Sequence, residues 1–212
     1  LRAIDALDYW IGRVPGRLGL LAVASGTLFA ATSGSTIANT SMLGSLLIPE
    51  MERRGYKKAM TVGPIIGCGA LAMLIPPSIL AVILATLIEV SVGGMLIAGI
   101  LPGLVLASLY AIYIVLRCWI QPEIAPPYDM PPTPLTKKIK ETAIYVLPLG
   151  LIIFLVVGII FLGMATPSEA AAMGAIGSIL LSAAYGQMSW GILKRCLFGT
   201  IKLTTIMFVI IM

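Results

Sequence analysis

Five long uncharged stretches limit what this chain can become: Leu18 to Pro49, Ala59 to Ile88, Val90 to Leu116, Thr142 to Ser168 and Ala170 to Leu193. Each exceeds the roughly 20 apolar residues that a helix needs to cross a bilayer. Only 11% of the 212 residues are charged and 59% are hydrophobic, whereas about a quarter of the residues in a soluble domain carry charge. The expected solvent is lipid, and the expected class is an all-α polytopic membrane protein.

The remaining residue types exclude several functions. There is no histidine, which removes His-based acid/base catalysis, His metal ligands and the usual serine triad. A serine here has no base to activate it, so an intramembrane enzyme is disfavoured and no enzymatic activity or cofactor is expected. Cys68, Cys118 and Cys196 form no C-x-x-C and read as small core residues. The net charge of +5 is scattered in short clusters between apolar runs, which argues against nucleic acid as a partner. The chain opens at Leu1 without methionine and stops at Met212 inside the apolar run Ile206 to Met212, so a piece of a longer protein is expected. No cleavable signal is expected at its front, and the spans themselves would direct insertion.

The basic clusters give a topology. They fall at Arg13 and Arg17; at Arg53, Arg54, Lys57 and Lys58; at Arg117; at Lys137, Lys138 and Lys140; and at Lys194, Arg195 and Lys202. The turns near Glu89 to Gly94 and Ala165 to Glu169 contain no Lys or Arg. The positive-inside rule puts the clusters in the cytoplasm and the two turns outside. Ala59 to Ile88 then runs outward, Val90 to Leu116 inward, Thr142 to Ala165 outward and Pro167 to Tyr185 inward, with a segment from about Lys194 outward again. Gln121 to Pro134, with six prolines, is a cytoplasmic linker.

The first stretch does not fit that alternation. Arg17 and Arg53 both belong inside, yet 32 residues from Leu18 to Pro49 are too few for two crossings of about 20 each. A re-entrant hairpin resolves the count, with Thr32-Ser33-Gly34-Ser35-Thr36 as its polar bend. The second limb would start as a helix capped by Ser33, Ser35 or Thr36, with Gly34 permitting the turn. A helix N-terminus within the bilayer suits a substrate carboxylate. Small polar residues here also suit close helix packing, which is the plainer reading.

A second break lies at Pro76-Pro77, with seventeen residues of the run before it and eleven after. Two prolines deprive the carbonyls of Ala72 and Met73 of their usual partners and push Ile75 off the helix. A hard cation such as sodium takes such carbonyls together with Ser, Thr or Asn oxygens, with no carboxylate needed. A simple kink re-satisfied by neighbours is the alternative. Elsewhere, Thr166 is expected to cap a helix that has Pro167 at its first position and Glu169 in its first turn. Gly174 and Gly177 mark a close helix contact, and Glu50 and Glu52 beside Arg53 and Arg54 mark a solvated ending.

Five segments, in order, resemble the large permease subunit of tripartite ATP-independent periplasmic (TRAP) transporters. They are Thr32-Ser33-Gly34-Ser35-Thr36, Ile48-Pro49-Glu50-Met51-Glu52-Arg53-Arg54-Gly55-Tyr56, Leu74-Ile75-Pro76-Pro77-Ser78, Ile97-Ala98-Gly99-Ile100-Leu101-Pro102-Gly103 and Ala165-Thr166-Pro167-Ser168-Glu169-Ala170-Ala171-Ala172. The resemblance implies an elevator-type ion-transporter fold, with a re-entrant hairpin and an interrupted helix in a mobile transport domain beside a static scaffold. It implies sodium-coupled uptake of a small organic acid, such as a C4-dicarboxylate or a sialic acid, in a bacterial inner membrane. The implied partners are a small four-helix membrane subunit, a periplasmic substrate-binding protein and the lipid bilayer; sodium serves only as the coupling ion.

On this basis residues 1–17 are a cytoplasmic approach segment, 18–56 the hairpin and 57–90 the interrupted helix. Residues 91–120 are a transmembrane helix, 121–136 the linker, 137–187 two scaffold helices and 188–212 the start of the next transport-domain helix. A second hairpin is expected beyond Met212. The resemblance further implies a sodium site at Ser33, Gly34, Ser35, Asn39, Ala72, Ile75 and Pro77, mostly through backbone carbonyls. Ser35, Thr36, Asn39 and Ser78 would face substrate. The hairpin bend should then lie beside the Pro76-Pro77 kink. Two other classes remain: a channel, which needs a continuous wet pore and no delivery protein, and a non-transporting membrane scaffold in which the polar bend is only packing.

Overall fold

In the computed structural model, which describes residues 2–11, 14–126 and 134–211, the first apolar stretch folds back on itself. Helix α2 (Arg17–Ser33) and helix α3 (Thr36–Arg53) are joined by Gly34 and Ser35 alone. Gly34 has φ +58°, a left-handed conformation that glycine adopts without a β-carbon penalty, and its N–H closes α2 on the Ala30 carbonyl at 3.0 Å. At the other end, the Leu18 N–H donates to the Tyr56 hydroxyl at 3.4 Å. The chain therefore enters and leaves the hairpin at the same end, as a re-entrant path requires.

The interrupted helix follows, as α4 (Lys58–Leu74) and α5 (Ile79–Leu87), which diverge by 42°. Helix α6 (Val92–Ile120) returns along them and ends in a short 3-10 turn, Pro122–Ile124. The rest of the expected linker, residues 127–133, lies outside the described residues, as does Arg13. Helix α7 (Leu135–Glu141) runs through a π-helical turn, Thr142–Val146, into α8 (Leu147–Phe161). Helices α9 (Pro167–Ala184) and α10 (Trp190–Ile211) complete the chain, and α1 (Arg2–Ile11) precedes the hairpin.

The core lies among α2, α3 and α4, where Leu43, Ile65, Cys68 and Leu71 are buried, and it extends to Ile114 and Cys118 of α6. Lipid tails are as apolar as leucine, so this core is held by close packing and hydrogen bonds and not by expulsion of water. Glycines set the spacing: a β-carbon at Gly26 would lie 2.6 Å from Cys68 Cβ, and one at Gly69 would overlap the Thr40 hydroxyl. Outward faces are strongly apolar, with Trp119 on α6, Phe154 on α8 and Phe198 on α10 exposed, the reverse of a soluble surface.

Among the described residues, α6 and the continuous 27-residue stretch Leu135–Phe161 are each long and apolar enough to cross a membrane, and the bent pair α4–α5 makes a third when its two helices are counted as one span. Helices α9 and α10 fall short of that measure: α9 spends its first turn on Pro167, Ser168 and Glu169, and α10 includes Lys194, Arg195 and Lys202. The two further crossings were expected there from charge alternation and from the length of the uncharged run Ala170 to Leu193, and that run is divided between α9 and α10 with the turn at residues 185–189 inside it. The local details expected around them are present. Thr166 and Glu169 form a reciprocal capping box, and a β-carbon at Gly174 would press to 2.7 Å from Val156.

Arg17 departs from the charge reading. Its Nε donates to Asp8 Oδ1 at 2.7 Å and its Nη2 to the Asp8 carbonyl at 2.8 Å, with both side chains 8% exposed. A charge counted as topological is thus neutralised inside the protein, tying α1 to the foot of the hairpin.

Candidate functional site

Both helix breaks lie at one place. A β-carbon at Gly34 would overlap the Pro77 carbonyl oxygen, and the Ile79 N–H donates to the Gly34 carbonyl at 3.4 Å. The bend of the hairpin is therefore seated against the four-residue gap Ile75–Ser78, in which Ile75 (φ −79°, ψ 122°) and Ser78 (φ −106°, ψ 120°) are extended and the Pro76-Pro77 peptide is cis.

Four helix ends consequently meet here. The N-termini of α3 and α5 are each capped by serine: Ser35 Oγ accepts from the Ala38 N–H at 3.4 Å and Ser78 Oγ from the Ala81 N–H at 3.3 Å. The C-termini of α2 and α4 bring carbonyls. N-termini carry partial positive charge and C-termini partial negative charge, so one small region offers binding polarity for both an anion and a cation without an ionised side chain. Among the described residues no three His, Cys, Asp or Glu side chains come together.

Helix α6 backs the gap. A β-carbon at Gly99 would overlap the Leu74 carbonyl oxygen, and one at Gly103 would lie 2.8 Å from Ile75 Cγ1. The two glycines present a flat groove to the broken strand of backbone. Their Gly-x-x-x-Gly spacing was the available signal for this contact.

A family model for the DctM component of the tripartite ATP-independent periplasmic transporters matches residues 2–212. The chain belongs to this family. It is 36% identical to the C4-dicarboxylate TRAP transporter large permease protein DctM of Pseudomonas aeruginosa, over 99% of this chain and 48% of that one. It is 34% identical to the ectoine TRAP transporter large permease protein TeaC of Halomonas elongata, over 85% of this chain and 41% of that one. A putative TRAP transporter large permease protein of Haemophilus influenzae is 34% identical over 98% of this chain and 51% of its own length. The chain thus spans about half the length of the curated relatives it matches.

Within this DctM-family chain the residues singled out from sequence divide into two groups. Ser33, Gly34, Ser35 and Thr36 are at the bend, and Ile75, Pro77 and Ser78 are at the gap. Ser33 is exposed and accepts from the Ser35 N–H at 3.4 Å. Asn39 and Ala72 lie deeper. Asn39 is 1% exposed, and its amide nitrogen donates to the Gly26 carbonyl of α2 at 3.1 Å and to the Cys68 carbonyl of α4 at 2.9 Å. One side chain thereby pins α3 to both neighbours. Its Oδ1 is buried with no hydrogen-bond partner.

Of the two carbonyls expected to be released by the prolines, that of Met73 is reclaimed by the Ser78 hydroxyl at 2.7 Å. The carbonyl of Ala72 faces a proline at the usual donor position and receives no such N–H. Two cavities flank the gap: one of about 520 Å³, bounded by Ala31, Ile75, Pro76, Ile100 and Phe154, and one of about 320 Å³, bounded by Thr32, Pro77, Val156 and Pro167. Both lie between α8 and the hairpin and gap, beside the place where Ile153 of α8 packs against the core.

Proposed function

We propose that this chain forms part of the large permease subunit of a sodium-coupled secondary transporter, which takes up a small organic acid delivered by a periplasmic binding protein. The observation that carries the reading is the seating of Gly34 against Pro77, because it gathers four helix ends at a single interior point. A carboxylate is drawn to the N-termini of α3 and α5, each contributing roughly 0.3–1 kcal/mol where exposed and up to about 2 kcal/mol where partly buried. Ser35 and Thr36 at the bend present polar groups to the acid, whereas Asn39 and Ser78, expected to face substrate with them, are each 1% exposed and bonded to backbone carbonyls, and so hold the bend and gap from behind.

The residues fit a sodium ion on chemical grounds. Sodium takes uncharged oxygens, and the Ala72 carbonyl lacks its helical donor while the buried Asn39 Oδ1 has no partner. The carbonyls of Ser33, Gly34, Ser35, Ile75 and Pro77 make up the rest of the expected set, of which that of Gly34 already accepts from the Ile79 N–H and that of Ser35 from the Asn39 N–H. When bound, the ion supplies positive charge that offsets the substrate's carboxylate. The C4-dicarboxylate and ectoine named for the relatives are both carboxylate-bearing, which suits these helix ends. The cavities between the hairpin and α8 support an elevator motion, since a loosely packed boundary resists sliding less than an interdigitated one.

Reconstitution of the full-length permease with its small subunit and binding protein in liposomes tests the reading. Uptake of labelled C4-dicarboxylate should require an inward sodium gradient and the binding protein. Equal flux in potassium, or without the binding protein, would indicate a channel instead.

A further inference from the structure

A third cavity is chemically unlike those beside the gap. It has a volume of about 260 Å³ and lies between the first turns of α4 and the last turns of α6, at the end of the molecule where basic residues gather. Its floor is apolar, with Met60, Ile114 and Ile124, and Gly63 leaves its wall flat. Its rim is polar: Arg117, Tyr113 and Tyr110 line it. Arg117 is exposed and forms no ion pair among the described residues. The neighbouring cations differ in this respect, since Arg17 is bound to Asp8, Arg54 to Glu50 and Lys57 to Glu123 at 3.6 Å.

From this arrangement we infer that the groove binds an anionic phospholipid of the leaflet on that side, with its phosphate on Arg117 and one acyl chain laid along Gly63 and Met60. Charge complementarity carries the choice of occupant. Among the described residues Arg117 and Lys58 form no ion pair at this end, and Glu123, next in sequence to the lining residue Ile124, is engaged by Lys57. The positive-inside rule places this end at the cytoplasmic face, where anionic lipids make basic pockets between helices natural headgroup sites. A guanidinium offers a fork of N–H donors matched to phosphate oxygens, and tyrosine rings settle at the depth of lipid headgroups. The apolar floor explains why a lipid is recognised and not a free anion. This site is independent of the substrate and sodium assignments.

The test uses full-length permease purified in detergent and titrated with dioleoyl phosphatidylglycerol, dioleoyl phosphatidylcholine or inorganic phosphate, with the melting temperature as readout. Phosphatidylglycerol should raise it more than phosphatidylcholine with the same chains, and phosphate should not raise it. Arg117→Gln should weaken the phosphatidylglycerol response roughly fivefold, as expected for one basic contact near the headgroups, and weaken the phosphatidylcholine response less, because the choline charge already offsets that lipid's phosphate. Gly63→Leu, at a position where a β-carbon meets nothing within 4 Å, should fill the groove and remove the difference between the two lipids. This second variant decides the matter if Arg117→Gln does not fold. Equal responses to both lipids in the wild type, or an unaltered phosphatidylglycerol response in either variant, overturns the proposal. A response to phosphate alone overturns it in favour of a free-anion site. No response to any lipid overturns it in favour of a groove covered by the rest of the protein.

Discussion

The α-carbon of Gly34 lies so close to the carbonyl oxygen of Pro77 that a β-carbon on it would overlap that oxygen. The adjoining Ile79 N–H donates to the Gly34 carbonyl at 3.4 Å, so the hairpin bend and the helix gap are joined backbone to backbone. Two chain breaks that would each be costly in lipid satisfy part of each other's polar groups.

Gly34→Ala is therefore expected to disrupt the junction twice, through the clash with Pro77 and through the left-handed φ of +58°. The loss of stability should be on the order of 1–3 kcal/mol, with uptake abolished. Gly150→Ala, where a β-carbon meets nothing within 4 Å, should change neither. Thermal unfolding and liposome uptake of the full-length permease check both, and a fully active Gly34→Ala would refute the junction.

Asn39 is expected to act first through its amide nitrogen. Asn39→Ala removes the donors to the Gly26 and Cys68 carbonyls and should cost about 1–2 kcal/mol. Asn39→Asp should be worse, because it replaces those donors by a buried carboxylate facing carbonyl oxygens. Melting in sodium-free buffer should rank wild type above alanine above aspartate. An aspartate variant as stable as wild type would show that the side chain is not committed in this way.

The Asp8–Arg17 pair predicts a different pattern. Removing either partner strands a buried charge, at a cost of about 3–5 kcal/mol, whereas replacing both by apolar residues is often close to neutral. Asp8→Asn and Arg17→Met should each lower the melting temperature more than Asp8→Leu combined with Arg17→Met. A double variant that melts below both singles would contradict the buried pair.

Packing of α9 on α8 yields a double-mutant cycle. Gly174→Ala forces a β-carbon to within 2.7 Å of Val156 Cγ2, an overpacking worth about 1–3 kcal/mol. Shortening the partner with Val156→Ala should recover much of that loss. A coupling near zero would place the two helices apart.

At the end of the hairpin where charges gather, the Arg53 side chain bonds to Glu50 at 3.0 Å and, with Arg54, holds that carboxylate below its usual range. This is the solvated ending expected from the Glu-x-x-Arg-Arg spacing. Just beyond it, burial pushes the Tyr56 phenol up, so it stays protonated while it accepts from the Leu18 N–H.

Sequence alone determined the features governed by local rules. Leucine-, isoleucine- and alanine-rich runs imposed helices and lipid. Gly34 among serines and threonines imposed a bend, paired prolines imposed a gap at Ile75 to Ser78, and Thr166 with Glu169 imposed a helix start. Each depends on residues within one or two turns, so the pattern is readable directly. The meeting of bend and gap was expected from the family resemblance, not from any local rule.

Only the tertiary structure decided which way each polar group points. It turned the Asn39 amide inward to two other helices, gave the Met73 carbonyl to Ser78, buried Arg17 on Asp8 and placed Gly99 against Leu74. These outcomes depend on the rotation of one helix about its axis relative to another. A change of one residue in that phase turns a side chain by about 100°, and periodicity cannot fix it where helices are apolar all round. The packing of small residues between the helices fixes it instead.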